Sequence, residues 1–106
     1  MGLVEKIKRF FKIGNGVNIG EILAAGAKVV DVRSPGEFAG GHLRGSINIP
    51  LNTLHDKTGK LKKEDVIVTC CASGMRSRSA KAILLSKGYK HVYNGGSWHS
   101  LTTYVK

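Results

Sequence analysis

The sequence predicts an α/β fold in which a small, mainly parallel sheet carries helices on both faces. Two observations carry that prediction. Short apolar, β-branched runs alternate along the chain with segments of helical spacing, which is the order of βαβ units with a sheet covered on both sides. Cap residues, glycines and prolines punctuate the alternation at the points where each element should stop.

The elements follow in chain order. Residues 1–14, MGLVEKIKRFFKIG, place Leu3, Ile7, Phe10 and Phe11 on one side of a short helix and Lys6, Lys8, Arg9 and Lys12 around the rest. This is a basic amphipathic segment, expected to dock its apolar face on the domain, with contact to a membrane surface as the less favoured alternative. Asn18 followed by Glu21 has the reciprocal capping spacing and opens a helix to about Ala25, stopped by Gly26. AKVVDVR then gives a buried strand ending near Asp31, and Ser34 with Pro35 caps and starts a small helix through Ala39, ended by Gly40 and Gly41.

SINIPL supplies a brief strand that Pro50 must terminate, and LNTLHDKTGKLKKED a turn of helix and an exposed connection. VIVTC, residues 66–70, is the strongest strand signal of the chain. After a loop, Ala80, Ile83 and Leu84 recur at helical spacing until Gly88. HVYN reads as the last strand, and the chain closes with a turn into a terminal helix. A length of 106 residues fits one domain over 1–106, able to bury a core without staples.

Composition narrows the function. With 42% hydrophobic and 23% charged residues the chain is of the globular class, and two cysteines are too few for a disulfide scaffold, so both thiols are expected free. No apolar run reaches the roughly 18 residues of a spanning helix, the N-terminal stretch has no cleavable signal pattern, and a cytoplasmic location is the expectation. The formal charge of +10 attracts anions. Basic residues are spread rather than interleaved with the few aromatics, so no nucleic-acid partner is expected. The histidines and vicinal cysteines lack zinc-site spacing, so no metal is expected.

The chemistry concentrates in TCCASGMRSRSA, residues 69–80, where a strand meets a helix. In parallel α/β sheets ligands bind at such ends. A cysteine there faces backbone N–H groups and the positive end of the helix; with Arg76 these should draw its pKa down from about 8.5 and make thiolate available. Two registers compete: Cys70 to Arg76 spans C-x5-R, a phosphate-handling spacing, and Cys71 to Arg76 spans C-x4-R.

Two longer motifs bear on that choice. DVRSPGEFAGGHLRGSINIPL, residues 31–51, and VIVTCCASGMRSRSAKAILLSKGYKHVYNGGSW, residues 66–98, together resemble the opening signature and the active-site strand, loop, helix and Gly-Gly turn of the single-domain rhodaneses, which are sulfurtransferases. The resemblance implies a rhodanese-like fold and a catalytic Cys71, the residue that starts C-x-S-G-x-R-S, with Ala72, Ser73, Gly74, Met75 and Arg76 binding substrate. It implies transfer of sulfane sulfur from a small anionic donor such as thiosulfate to a thiol or cyanide acceptor through a Cys71 persulfide, with no cofactor. A protein could stand in for either small molecule, which leaves a persulfide carrier or partner-binding module as the alternative to an enzyme. A phosphatase working from Cys70 is a third reading, because the same fold hosts phosphatases with a loop one residue longer.

Strand alternation turns Cys70 away from the loop. Asp31, Arg33 and Glu37 read as a structural cluster, His42 as a turn residue, and Arg78 as either a solvated charge or part of the field around the site. Two departures stand out from the resemblance: Thr69-Cys70 replaces an apolar-aromatic pair, and Trp98 follows Gly96 unusually closely.

Overall fold

The computed structural model describes residues 18–105. The basic amphipathic segment of residues 1–14 lies outside the described residues.

Helix α1, Ile19–Ala24, starts where the Asn18 side chain accepts the Glu21 N–H. Strand β1 is Lys28–Asp31, and α2 is Pro35–Ala39. A full capping box opens α2, with Ser34 Oγ accepting from Glu37 N and the Glu37 carboxylate accepting from Ser34 N. Strand β2 is only Ile47–Asn48, because Pro50 follows and caps α3, Leu51–Leu54. Strand β3, Val66–Cys71, leads through the loop to α4, Met75–Ser86, then to β4, His91–Ser97, and α5, Trp98–Leu101.

The four strands are all parallel, in the order β2-β1-β3-β4. Each crossover carries helix, so the two faces fill separately. Val30, Ile67, Cys71 and Val92 pack with Leu54, Ala80 and Leu84 of α3 and α4. Val29, Val66, Val68 and Cys70 pack with Ile22 of α1 and Leu101 of α5. All six residues of β3 are buried, as a central strand covered on both faces requires.

Two element boundaries differ from the sequence expectation. Strand β3 runs one residue further than 66–70, so that Cys71 itself closes the ladder opposite Ser97. Strand β4 does not end at Asn94 but passes through Gly95 and Gly96 to Ser97. The register explains both. Thr69 pairs with Asn94 and Cys71 with Ser97, so β4 carries one extra residue there, a bulge. Gly96 takes φ +77°, which glycine adopts without strain. Consecutive glycines read as a turn from sequence alone, whereas here they bend a strand that goes on pairing.

Candidate active site

The loop between β3 and α4 closes around one sulfur. Cys71 is the last residue of β3, and Gly74, with φ +102°, turns the chain back into α4. That turn aims the Gly74 N–H at Cys71 Sγ at 3.0 Å and the Ser77 N–H at 3.4 Å, while Sγ lies 3.5 Å from Ser77 Oγ. Thr69 ties the loop down from below, its buried hydroxyl donating to the Ser77 carbonyl at 2.8 Å.

These contacts set the acidity of the thiol. Burial pushes the Cys71 thiol up, but hydrogen bonds from the Ser77 hydroxyl and from the Ser77, Gly74 and Ser73 N–H groups outweigh it, and the thiol ionises below its ordinary range. Cys70, one residue earlier, faces the opposite cluster. Burial, with the nearby Asp31 charge, pushes its thiol up to about 12. Two adjacent cysteines therefore have opposite tendencies, as period-2 alternation requires.

The remaining loop residues divide by position. Ala72 and Ser73 are exposed at the rim, and Met75 stands 79% exposed at the start of α4. Arg76 is engaged by α2: Nη1 donates to Glu37 Oε1 at 2.7 Å and Nη2 to Oε2 at 3.0 Å. This bidentate partner, with the Ser34 cap behind it, holds the Glu37 carboxyl at about 2. The sequence expects backbone N–H groups, the helix end and Arg76 to lower the Cys71 pKa together, and the direction found is downward, with the Ser77, Gly74 and Ser73 donors as its causes. Arg76 itself is held by Glu37.

Glu37 is thus less part of a cluster with Asp31 and Arg33 than the tie between α2 and the loop. Asp31 and Arg33 form their own buried pair, Nη2 to Oδ2 at 2.7 Å, and Arg33 also holds the Gly41 carbonyl at 2.7 Å and lies over the Trp98 ring. His42 serves its turn, stacked on Phe38 with Nδ1 2.8 Å from the Phe38 carbonyl. Arg78 is exposed on α4. The sequence counts Ser77 among the loop residues that favour a functional site without making it a binding residue, and gives Asn94 no role; in the structure Ser77 contacts the sulfur and Asn94 contacts Ser77 at 2.6 Å. The Ser in C-x5-S is the visible signal for the first; nothing in the sequence marks the second, since the contact is made between α4 and a neighbouring strand 17 residues away.

Cys71 is 0% exposed. A groove of about 380 Å3 beside the loop is lined by Val32, Ser34, Pro50, Leu51, Asn52 and Arg76. Its lining combines the apolar Val32, Pro50 and Leu51 with the Arg76 side chain. No helix among the described residues is long and apolar enough to cross a membrane.

Comparisons with known proteins agree with this architecture. The family description of the rhodanese-like domain matches residues 18–100. Thiosulfate sulfurtransferase PspE of Escherichia coli is 39% identical over 69 residues, covering 63% of this chain and 66% of that protein. The uncharacterized protein YqhL of Bacillus subtilis is 35% identical over 68 residues, covering 64% of this chain and 54% of its own. The chain thus matches between about half and two thirds of the length of these relatives. The structure of a human single-domain sulfurtransferase superposes with a TM-score of 0.69 at 29% identity, over 81% of this chain and 90% of that one. With a family match spanning both faces of the sheet and the loop between them, this chain belongs to the rhodanese-like domain family.

Proposed function

We propose that the protein is a sulfurtransferase that carries sulfane sulfur on Cys71. One observation carries the reading: the sulfur of Cys71 alone sits at the focus of the loop N–H groups, with its thiol lowered while that of Cys70 is raised. Thiolate is the nucleophilic form. The names of relatives such as PspE support a thiosulfate-type donor.

In the first half-reaction the Cys71 thiolate attacks the outer sulfur of thiosulfate. A bond forms between Sγ and that sulfur, the bond to the sulfite sulfur breaks, and sulfite leaves with the electron pair. The negative charge now rests on the outer persulfide sulfur, beside the loop whose Ser73, Gly74 and Ser77 N–H groups surround Sγ; Ala72, Met75 and Arg76 complete the loop in this reading. In the second half an acceptor thiolate or cyanide attacks the outer sulfur, and Sγ departs again as thiolate. Fixed N–H donors favour each anionic stage without reorganising. The groove lined by Val32, Pro50, Leu51 and Arg76 suits an acceptor with an apolar body and an anionic group.

The test is mass spectrometry after brief thiosulfate treatment. One sulfur atom should appear on Cys71, be removed by cyanide, and be lost in Cys71→Ser but not in Cys70→Ser. Unchanged mass with several donors, while Cys71 is reduced, sinks the reading, and turnover of an aryl phosphate by Cys71→Ser would favour Cys70 and the longer loop.

The full burial of Cys71 favours a second reading, a persulfide carrier whose loop a partner protein opens. Thiosulfate turnover by the protein alone separates the two, since a dedicated carrier is charged only by its partner.

A further inference from the structure

Ser77 Oγ carries one proton and has three acceptors around it. Asn94 Oδ1 lies at 2.6 Å, the Gly74 carbonyl at 3.0 Å and Cys71 Sγ at 3.5 Å. The Gly74 carbonyl already accepts the Arg78 N–H at 3.1 Å. The orientation of the Asn94 amide is settled by β4 itself. Gly96 N donates to Oδ1 at 2.9 Å, and a flipped amide would set its NH2 against that N–H, donor to donor. The oxygen therefore faces Ser77. With a neutral thiol the chain runs from Cys71 S–H to Ser77 Oγ, and from Ser77 O–H to Asn94 Oδ1.

We propose that Asn94 is a positioning residue of the sulfur-transfer reaction, its Oδ1 holding the Ser77 hydroxyl proton while Cys71 Sγ is uncharged and yielding it when Sγ becomes thiolate. The inference rests on the reading of Cys71 as sulfur carrier. On ionisation of the thiol, the hydroxyl turns from Asn94 to the charged sulfur, and Oδ1 keeps the Gly96 N–H. Once Sγ has bonded the incoming sulfur, the charge moves to the outer atom and Sγ no longer needs a donor. The hydroxyl then returns to Asn94. No proton leaves Ser77 and no bond to it is made or broken; only the O–H direction changes. In the persulfide state Asn94 Oδ1, at 2.6 Å, is the nearer of the two oxygens that can take the hydroxyl proton, the other being the Gly74 carbonyl at 3.0 Å.

Ser77 and Asn94 must then act in opposite directions on the thiol, the first by donating to thiolate, the second by competing for the donor. The other charged and titratable groups about the sulfur are Arg76 on α4 with its partner Glu37 on α2, Cys70 on β3, and the Asp31–Arg33 pair at the end of β1. None of them is altered in the test.

The test is a pH titration of thiolate ultraviolet absorbance, taken as the difference between each protein and its Cys71→Ser counterpart. Ser77→Ala should raise the Cys71 pKa by about one unit, and Asn94→Ala should lower it by about half a unit, given the strengths of charged and neutral hydrogen bonds. In the double variant the Asn94→Ala effect should vanish, because the contested proton is gone. Asn94→Asp keeps an oxygen for Gly96 and should raise the pKa more with Ser77 present than in Ser77→Ala. An Asn94→Ala titration equal to wild type, or a shift that survives in the Ser77→Ala background, overturns the proposal. Sulfur loading by thiosulfate is measured on the same proteins. Shifts as expected with no loading in wild type uphold the proton arrangement and refute loading by thiosulfate alone; loading without the shifts overturns the role of Asn94 and leaves Cys71 as the sulfur carrier.

Discussion

Asp31→Asn tests whether the buried ion pair beneath the site holds the fold as the geometry implies. Asp31 is 0% exposed and Arg33 4%. The carboxylate accepts the Arg33 backbone N–H and Nε at 3.0 Å and Nη2 at 2.7 Å. Asparagine keeps the shape and one acceptor oxygen but removes the charge, leaving a buried guanidinium without its counter-ion. Breaking a buried pair in this way costs about 3–5 kcal/mol, and the retained oxygen places the expectation near the lower end, about 3 kcal/mol. For a domain of this size that is a large share of the roughly 5–15 kcal/mol that hold it folded, and it should lower Tm by about 12–15 °C. Urea unfolding reads it as a fall in the midpoint at constant m. The site should feel it as well, since Arg33 also holds the Gly41 carbonyl and approaches that of Glu37 at 3.4 Å. Arg33→Met should cost a similar amount, and Asp31→Asn with Arg33→Met clearly less than the sum of the two. A loss below about 1 kcal/mol for Asp31→Asn, the size of a surface pair, would refute the reasoning.

Two further outcomes follow from the site. Arg76→Ala should raise the KM for thiosulfate by about tenfold, the low end for a charge-assisted hydrogen bond because the side chain is 39% exposed, while moving the thiol pKa less than Ser77→Ala does; steady-state kinetics with a thiol titration check it, and a larger pKa shift for Arg76→Ala would contradict the assignment of the acidity to the loop donors. Cys70, held at about 12, binds its proton in the folded state after the unfolded chain has released it. Its stabilising contribution is complete below the ordinary thiol pKa of about 8.5 and falls by about 1.4 kcal/mol per pH unit from there towards pH 12. Urea midpoints across that range should therefore decline less steeply in Cys70→Ala, and parallel declines would show that Cys70 ionises freely.

Much of this was legible in the sequence, and the misses share a cause. The caps at Asn18 and Ser34, the stop at Pro50 and the β-branched runs located most of the elements because each signal acts within a few residues. The opposite facing of Cys70 and Cys71 needed only strand alternation. What was not legible depends on register across strands. Glu37 meets Arg76 because α2 and the loop sit at the same end of the sheet, yet the two residues are far apart in sequence. Ser77 stood in view, but its link to Asn94 requires knowing how β4 lies against α4. The same applies to the reach of Cys71 into the ladder.

The bulge in β4 is where fold and chemistry meet. A Cβ on Gly95 would lie 2.6 Å from Val68 Cγ1 and 2.9 Å from the Thr69 carbonyl, so β4 approaches β3 here at a distance that only glycine permits. The next residue, Gly96, brings its Cα to 3.5 Å from where a Cβ of Gly74 would stand, so the bulge also supports the turn of the loop. From that position the Gly96 N–H fixes the Asn94 amide, and Asn94 meets the Ser77 hydroxyl. A regular β4 would place one residue fewer between the partners of Thr69 and Cys71. The side chains beyond Asn94 would then turn to the opposite face, and the Gly96 N–H would no longer be placed to hold the Asn94 oxygen that accepts the Ser77 hydroxyl. The two glycines thus set the thiol's surroundings through strand geometry alone, without touching the sulfur.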